Sequence, residues 1–249
     1  MEYNAKQMKL CICIPFFLDD SKDVEYLIEL LQSIRTQTYT DYQVILCEDL
    51  NSPVNLKLED IGLSVNNLRQ IKIFKSQVSG VSANTNFAVS LARSEYVKIM
   101  FHDDLLANES SLSEIVKAME SSKKRWLLSA CDHFNQDSGE LGPSMVPKLK
   151  KSLFDAKNTV SSPSVVAFRA DSFLEFSQSL SLMMDCEWYI RMVHNYGKPI
   201  VLRNVTIINR IHSNQAQHGW KSRLAEEKNT VRSMHTKTGM RKSSCVCRN

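Results

Sequence analysis

The sequence predicts a single α/β domain built on a mostly parallel twisted sheet flanked by helices, and three observations carry that expectation. Over the first 106 residues, apolar runs alternate with one-sided helical periods, the order of strands laid parallel and joined by crossover helices. The apolar runs are nearly uninterrupted, as in strands covered on both faces. Two of them stop on acidic pairs, Glu48-Asp49 and Asp103-Asp104, at strand ends, where open α/β sheets bind their ligands.

Lys9-Leu-Cys-Ile-Cys-Ile-Pro15 reads as the first strand, ending at a proline where ladder hydrogen bonds are no longer required. Val24, Leu27, Ile28, Leu31 and Ile34 then recur on one face of a helix over 23–37, capped by Ser21 or Asp23. Residues 42–47 form a second buried strand, closed by Glu48-Asp49 and the turn-like Leu50-Asn-Ser-Pro53. A polar helix or loop leads to a short third strand at 70–74. Ser79-Gly80 opens a loop into a helix over about 84–92, with Phe87 and Leu91 facing inward. Tyr96-Val-Lys-Ile-Met-Phe101 is the next strand, and it stops at Asp103-Asp104.

The second half is less regular. Leu112, Ile115, Val116 and Met119 mark one face of a helix, and Trp126-Leu-Leu-Ser-Ala130 reads as a strand. Residues 133–151 are a polar loop containing glycine and proline. Ser162-Pro-Ser-Val-Val-Ala-Phe-Arg169 brings small hydroxyl side chains and a strand to the site. Met184-Asp-Cys-Glu-Trp-Tyr-Ile-Arg-Met-Val193 starts a helix with Asp185 at its N-terminus, where the helix dipole favours an anion. Residues 199–202 and 205–208 read as two short strands, followed by Arg210-Ile-His212. From Lys221 onward the chain is a polar, basic helix and tail, and there is no internal repeat.

With 249 residues, 43% of them hydrophobic and 23% charged, the chain has the makeup of a soluble domain with a substantial core. A net charge of +4 permits acidic ligands without singling out nucleic acid. The polar start and an apolar run broken by Pro15 and closed by Asp19-Asp20 predict neither a signal peptide nor a membrane span, which needs roughly 20 apolar residues. Seven cysteines, an odd number without an export signal, read as reduced thiols in a cytoplasm. Cys245 and Cys247 have the spacing of half a metal site with no second pair, and read as a solvated tail pair.

Two carboxylates at the end of a buried strand repel each other unless a cation or hydrogen-bond donors compensate. Their oxygen ligands suit Mg2+ or Mn2+, which can then hold a diphosphate. The plainer alternative makes one of them a helix cap before Leu105. The chain has only seven glycines and neither a G-x-G-x-x-G nor a G-x-x-x-x-G-K loop, so phosphate charge would have to be met by a metal.

Six segments add a family likeness: Cys11-Ile-Cys-Ile-Pro15; Glu48-Asp49 with Asn51-Ser52; Gly80-Val-Ser-Ala-Asn-Thr-Asn86; Ala92-Arg-Ser-Glu-Tyr-Val-Lys98 leading into His102-Asp-Asp104; Met184-Asp-Cys-Glu-Trp188; and Arg210-Ile-His212. Each is weak alone. In this order and at these spacings, over roughly residues 9–215, they make the chain resemble family 2 glycosyltransferases of the GT-A fold. The resemblance implies transfer of one sugar, with inversion, from a nucleotide-diphosphate donor of UDP type. The acceptor is a saccharide or lipid-linked hydroxyl, as in polysaccharide or glycoconjugate synthesis. It implies nucleotide-sugar contacts from Pro15, Glu48, Asp49, Asn84 and Asp103, and Mn2+ or Mg2+ on Asp103, Asp104 and His212. Asp185 becomes the general base that takes the acceptor's proton. The implied domain covers 1–230, with a nucleotide-sugar half over 9–106 and an acceptor half over 107–230, followed by a basic tail at 231–249. The expected setting is cytoplasmic, with room for peripheral association at the inner face of a membrane.

The chain departs from the family pattern in three places. Phe101 stands where the family's Asp-x-Asp motif has its first acid, and the nucleoside loop is one residue longer than usual, so either Glu48 or Asp49 contacts the base. The Gln-x-x-Arg-Trp motif and membrane helices of processive synthases are missing, which favours single sugar addition. Two other classes compete. A metal-dependent nucleotidyltransferase usually carries a glycine-rich loop after the first strand, where this chain has Pro15-Phe-Phe-Leu18. A non-catalytic nucleotide- or nucleic-acid-binding module would draw on the basic end, which shows no aromatic–basic interleaving. Locally, Asp185, Asn84 and Asn86 can be helix caps, Glu187 can pair with Arg191, Trp188 and Tyr189 can be core, and His212 can be an ordinary surface histidine.

Overall fold

Leu10–Phe16 (β1) is buried along its whole length and forms the middle of the sheet. It pairs in parallel with Tyr42–Glu48 (β2) on one side and Tyr96–Ile99 (β4) on the other, and Ile71–Lys75 (β3) extends the sheet beyond β2. The structure, a computed structural model, describes residues 8–54, 71–212 and 221–236. The polar segment expected before the third strand, its residue 70, the Cys245/Cys247 pair and the end of the basic tail lie outside the described residues.

Pro15 sits inside β1 without breaking a ladder. The Cys13 carbonyl accepts the Met100 N–H at 3.0 Å, so Pro15, two residues on, faces the same side just past the end of β4, where no N–H is needed.

Beyond β4 the sheet continues with Val166–Arg169 (β8) and Trp126–Asn135 (β6), both antiparallel to their predecessor. Ile200–Ile211 (β9) runs parallel to β6, Leu105–Leu106 (β5) closes the far edge, and Glu140–Leu141 (β7) folds back on β6. Among the described residues the order is β3-β2-β1-β4-β8-β6-β9-β5. Each parallel ladder is longer than any antiparallel one. The two short strands expected at 199–202 and 205–208 are one strand. Arg203-Asn204, polar residues that interrupt the apolar pattern, fall where the register shifts against Ser129 and Ala130.

The step from β4 to β5 fixes the curvature. Ile99 and Leu105 are six residues apart, a reach of at most about 21 Å. In a flat sheet β8, β6 and β9 would put them about 19 Å apart across the strands alone. A connection that also makes a turn spans this only if the sheet curls.

Ser21–Arg35 (α1) buries Tyr26, Leu27, Leu30, Leu31 and Ile34. Its cap is Asp20, not Ser21 or Asp23: the Asp20 carboxylate takes the Lys22 and Asp23 N–H groups while Asp23 reaches back to complete a capping box.

Val81–Ser90 (α2) departs most from expectation. It starts earlier than read, Phe87 and Leu91 lie half-buried at its edge, and the buried face is Ser82, Ala83, Asn84, Thr85, Asn86, Ala88 and Val89. Small and amide side chains allow close approach to the sheet and are satisfied there by backbone. Asn86 Nδ2 donates to the Phe176 carbonyl (2.9 Å), and its Oδ1 accepts the Phe176 N–H (2.7 Å). Neither Asn84 nor Asn86 is the cap, a position held by Gly80 at φ +103°.

Ser111–Glu120 (α3) buries Leu112, Ile115, Val116 and Met119 as read. Met184–Tyr196 (α4) puts Trp188 and Tyr189 in the core, Trp188 packing against Trp126, Phe168 and Phe176. Lys221–Thr236 (α5) runs through residue 230 without a break, with Glu227, Val231 and His235 buried.

Candidate active site

The β4 strand delivers the chain to a tight turn, with the Asp104 N–H donating to the Phe101 carbonyl (3.1 Å). β5 follows directly, so neither aspartate caps a helix. The two carboxylates part company here. Asp104 is buried and committed to the protein: Oδ1 accepts the Arg210 N–H (3.1 Å) and Oδ2 accepts Ser162 Oγ–H (3.1 Å). Burial, then the charge of Asp103, pushes its pKa up to about 7. Asp103 keeps 19% of its side chain exposed and lies 3.4 Å from His212 Nε2. Burial works against its charge, but the His212 hydrogen bond and the nearby His102 outweigh it and hold its pKa below the ordinary value.

Basic side chains surround the acidic turn. Arg210 donates Nε–H to the Asp103 carbonyl (3.0 Å) and Nη2–H to Glu29 (2.5 Å), with its guanidinium 4.1 Å from the Tyr26 ring centre. His212 also packs against Tyr26, ring centres 5.2 Å apart. His102 lies 3.7 Å from Asp23; burial opposes its charge, yet Asp23, Asp103 and Asp104 raise its pKa. Asp23, Tyr26 and Glu29 occupy successive turns on one face of α1, which explains how a helix buttresses three residues of the site. Behind it, fully buried Lys98 donates from Nζ to the carbonyls of Ile99 (3.1 Å), Val166 (3.3 Å) and Ser164. Burial pulls its pKa down to about 7 against the charge of Asp104.

Asp185 occupies the first turn of α4 and remains partly exposed. Asn158 Nδ2–H donates to its Oδ2 (2.6 Å) and the Cys186 N–H to its Oδ1 (2.6 Å), but burial outweighs both and brings its pKa up to about 7. A hydrogen-bonded chain runs from there to the acidic turn. Asn158 Nδ2–H also meets the Ser161 carbonyl (3.0 Å), and Ser161 Oγ–H donates to Asn209 Oδ1 (2.7 Å). Asn209 Nδ2–H donates to Ser162 Oγ (2.8 Å), which in turn donates to Asp104. Ser161 holds φ +107°, a costly conformation for a non-glycine residue, and the Tyr189 hydroxyl also bonds its carbonyl (3.1 Å).

At the ends of β1 and β2, Asn84 Nδ2–H ties the carbonyls of Phe16 (3.3 Å) and Cys47 (2.9 Å), leaving Oδ1 buried without a hydrogen bond. Asp49 fastens the β2 turn to α2: it accepts from the Asn51 N–H (2.9 Å), Ser79 Oγ–H (2.9 Å) and the Gly80 N–H (2.7 Å). Glu48 is buried with Oε1 3.6 Å from Lys75 Nζ and without a hydrogen bond. Asp49 is thus spent on the protein, and Glu48 is the acid with unmet bonding capacity.

The structure therefore brings Asp103 and His212 together and sets Asp104 behind them. The residues not foreseen are Asn158, Asn209, Tyr26 and Glu29. Ser162 and Arg210 lay in segments singled out by sequence, without the partners seen here. Among the described residues no group of three or more His, Cys, Asp or Glu side chains gathers as a metal site. An oxygen and a nitrogen 3.4 Å apart nevertheless fit neighbouring positions on an octahedral ion, about 3 Å apart at bond lengths of about 2.1 Å, with the other positions left to phosphate and water.

Residues 11–181 match the family model described as Glycosyl transferase family 2. The chain belongs to glycosyl transferase family 2. An uncharacterized glycosyltransferase of Methanocaldococcus jannaschii is 27% identical over 212 residues, covering 82% of this chain and 71% of that protein. WcaA of Escherichia coli K12, a glycosyl transferase named for colanic acid biosynthesis, is 26% identical over 196 residues, covering 76% and 69%. Among solved structures, Staphylococcus aureus TarS 1-349 in complex with UDP-GlcNAc superimposes with a TM-score of 0.63 at 16% identity, over 85% of this chain and 60% of that one. The Pyrobaculum calidifontis mannosyltransferase in complex with GDP-Man and Mn2+ gives 0.64 at 13%, over 96% and 66%. The chain spans less than two thirds of each solved structure. At these identities the shared property is the GT-A fold, which this family 2 glycosyltransferase has.

Proposed function

We propose that this chain is an inverting glycosyltransferase that moves a single sugar from a nucleotide-diphosphate donor, UDP-type first, to a saccharide or lipid-linked hydroxyl. The observation that carries the reading is a division of labour between the two ends of one hydrogen-bonded chain. Asp103, part of whose carboxylate reaches solvent, and the buried His212 form a pair suited to a cation and a diphosphate, while Asp185 stands apart as a partly exposed carboxylate with a pKa raised to about 7. A base of that strength accepts a proton near neutral pH.

On this reading the nucleoside lies against the ends of β1 and β2, at Pro15, Glu48 and Asn84. Asp185, held by Asn158, takes the proton of the acceptor hydroxyl as that oxygen attacks the anomeric carbon. The bond from that carbon to the diphosphate breaks on the opposite face, so one displacement inverts the centre. Mn2+ or Mg2+ held by Asp103 and His212 would offset charge on the departing diphosphate. The complexes of similarly folded proteins with UDP-GlcNAc, and with GDP-Man and Mn2+, support a nucleotide sugar and a divalent ion. No helix among the described residues is long and apolar enough to cross a membrane. A cytoplasmic setting, with the inner membrane face as the place to meet a lipid-linked acceptor, belongs to the same proposal, as does a role in surface polysaccharide synthesis.

Calorimetric titration of UDP with Mn2+, repeated in EDTA, tests the donor side. Affinity should fall at least tenfold in EDTA, and Asp103→Asn should reproduce the loss. Equal affinity with and without metal would remove the cation from the reading. On the acceptor side, Asp185→Asn should keep UDP binding yet lower sugar transfer at least about 100-fold. Transfer at near the parent rate would place the base elsewhere.

A further inference from the structure

The start of α4 is gripped from outside the helix. Its N-cap, Met183, supplies no side-chain hydrogen bond. Instead Glu227 of α5, itself buried, takes three successive amides on Oε2: Ser181 (3.0 Å), Leu182 (2.7 Å) and Met183 (2.9 Å). The Ser181 N–H also reaches Oε1 at 3.1 Å. Arg223, one turn earlier on α5, donates Nε–H to Glu227 Oε1 (3.1 Å) and Nη2–H to Ser181 Oγ (2.8 Å). Further along, His235 of α5 lies 3.5 Å from Glu187 of α4, which Arg191 also holds at 2.6 Å. α5 thus engages α4 on both sides of Asp185.

A buried carboxylate is costly unless its lone pairs are met, and here a run of backbone N–H groups and a guanidinium meet them. The anchored amides end two residues before Asp185, so the clasp fixes where α4 begins and where its first turn points. We propose that Glu227 is a positioning residue for sugar transfer: by holding the amides of Ser181, Leu182 and Met183 it sets the place of the Asp185 carboxylate, which makes α5 a working part of the acceptor site. This rests on Asp185 as the base. Glu227 also reaches Asp185 through its charge, which adds to burial in raising that carboxyl's pKa. The other groups acting with Asp185 are the Asn158 amide from its loop and Cys186 and Tyr189 from α4, while Glu187 of α4 and Lys228 of α5 act on Cys186.

The test uses the full chain carrying Glu227→Ala or Glu227→Gln, beside Asp185→Asn. In Glu227→Ala, deuterium exchange of amides over 181–187 should quicken at least tenfold while β1 and β2 stay protected. Glu227→Gln keeps one oxygen for the three amides and loses the charge together with the second acceptor, the one that meets Arg223. Exchange there should stay near the parent's, while the Asp185 carboxyl titration, followed by 13C NMR, moves at least half a pH unit lower. Unchanged exchange in the Ala variant, or an unmoved midpoint in the Gln variant, overturns the proposal. Should Glu227→Ala lose protection throughout the sheet, the Gln titration decides alone. A shifted midpoint together with an Asp185→Asn protein that still transfers sugar would defeat the reading of Asp185 as base and leave the clasp standing.

Discussion

Asp103 and Asp104 are chemically identical neighbours with different work, and Asp185 shows what burial does to a third. The Asp185 carboxyl is raised from its ordinary 3.8 to about 7. An acid whose folded pKa is raised contributes its full stability only below the unfolded value, and that contribution is lost as pH climbs through the folded one. The parent should therefore weaken relative to Asp185→Asn between about pH 4 and pH 7. At pH 8 the Asn variant should be the more stable by up to about 4 kcal/mol, a ceiling because solvent reaches the carboxylate, with a smaller gap at pH 5. Thermal melts of both proteins at the two pH values read this directly, and equal gaps would contradict it. The acidic pair was legible in the sequence because an apolar run ending on two carboxylates is a local signal. The split between its members was not, because Asp104 is taken up by Ser162 and the Arg210 backbone, distant in the chain. Asn158 carried no signal at all: it is one amide in a polar loop, and only the fold brings it to Asp185.

Helices read by apolar spacing are found when they bury apolar faces. α3 answers to Leu112, Ile115, Val116 and Met119, and α1 to a similar stripe. α2 buries serine, threonine and asparagine, so its periodicity pointed at Phe87 and Leu91 and its start was placed late. What holds α2 is hydrogen bonding of the kind Asn86 makes with both backbone groups of Phe176. Asn86→Leu keeps the branched shape, with two methyls for the amide oxygen and nitrogen, and removes both bonds, leaving a buried N–H and C=O unmet. It should cost about 2–4 kcal/mol in denaturant unfolding, whereas a variant as stable as the parent would show that this pairing contributes nothing net. β9 failed to be read as one strand for a related reason: its bulge carries Arg203 and Asn204 in the middle of an apolar run, and polar residues there look like a turn.

The described strands form one sheet, although the sequence falls into a regular half and an irregular half. β4 of the first half pairs with β8 of the second, and β5 of the first half pairs with β9. The two halves share ladders at two places and should unfold together. Far-UV circular dichroism and the fluorescence of the buried Trp126 and Trp188, both in the second half, should give coincident denaturant transitions. Separated midpoints would show that the halves melt independently. The parallel character of the first half was legible because its apolar runs alternate with helical periods, but the curl was not, since it depends on how few residues lie between β4 and β5. That short connection behaves as a drawstring across the mouth of the curled sheet, and the two aspartates are knotted into it. Its length is then under as much constraint as its chemistry. One residue inserted between Met100 and Asp104 would slacken the mouth and unseat both carboxylates before a single strand was lost.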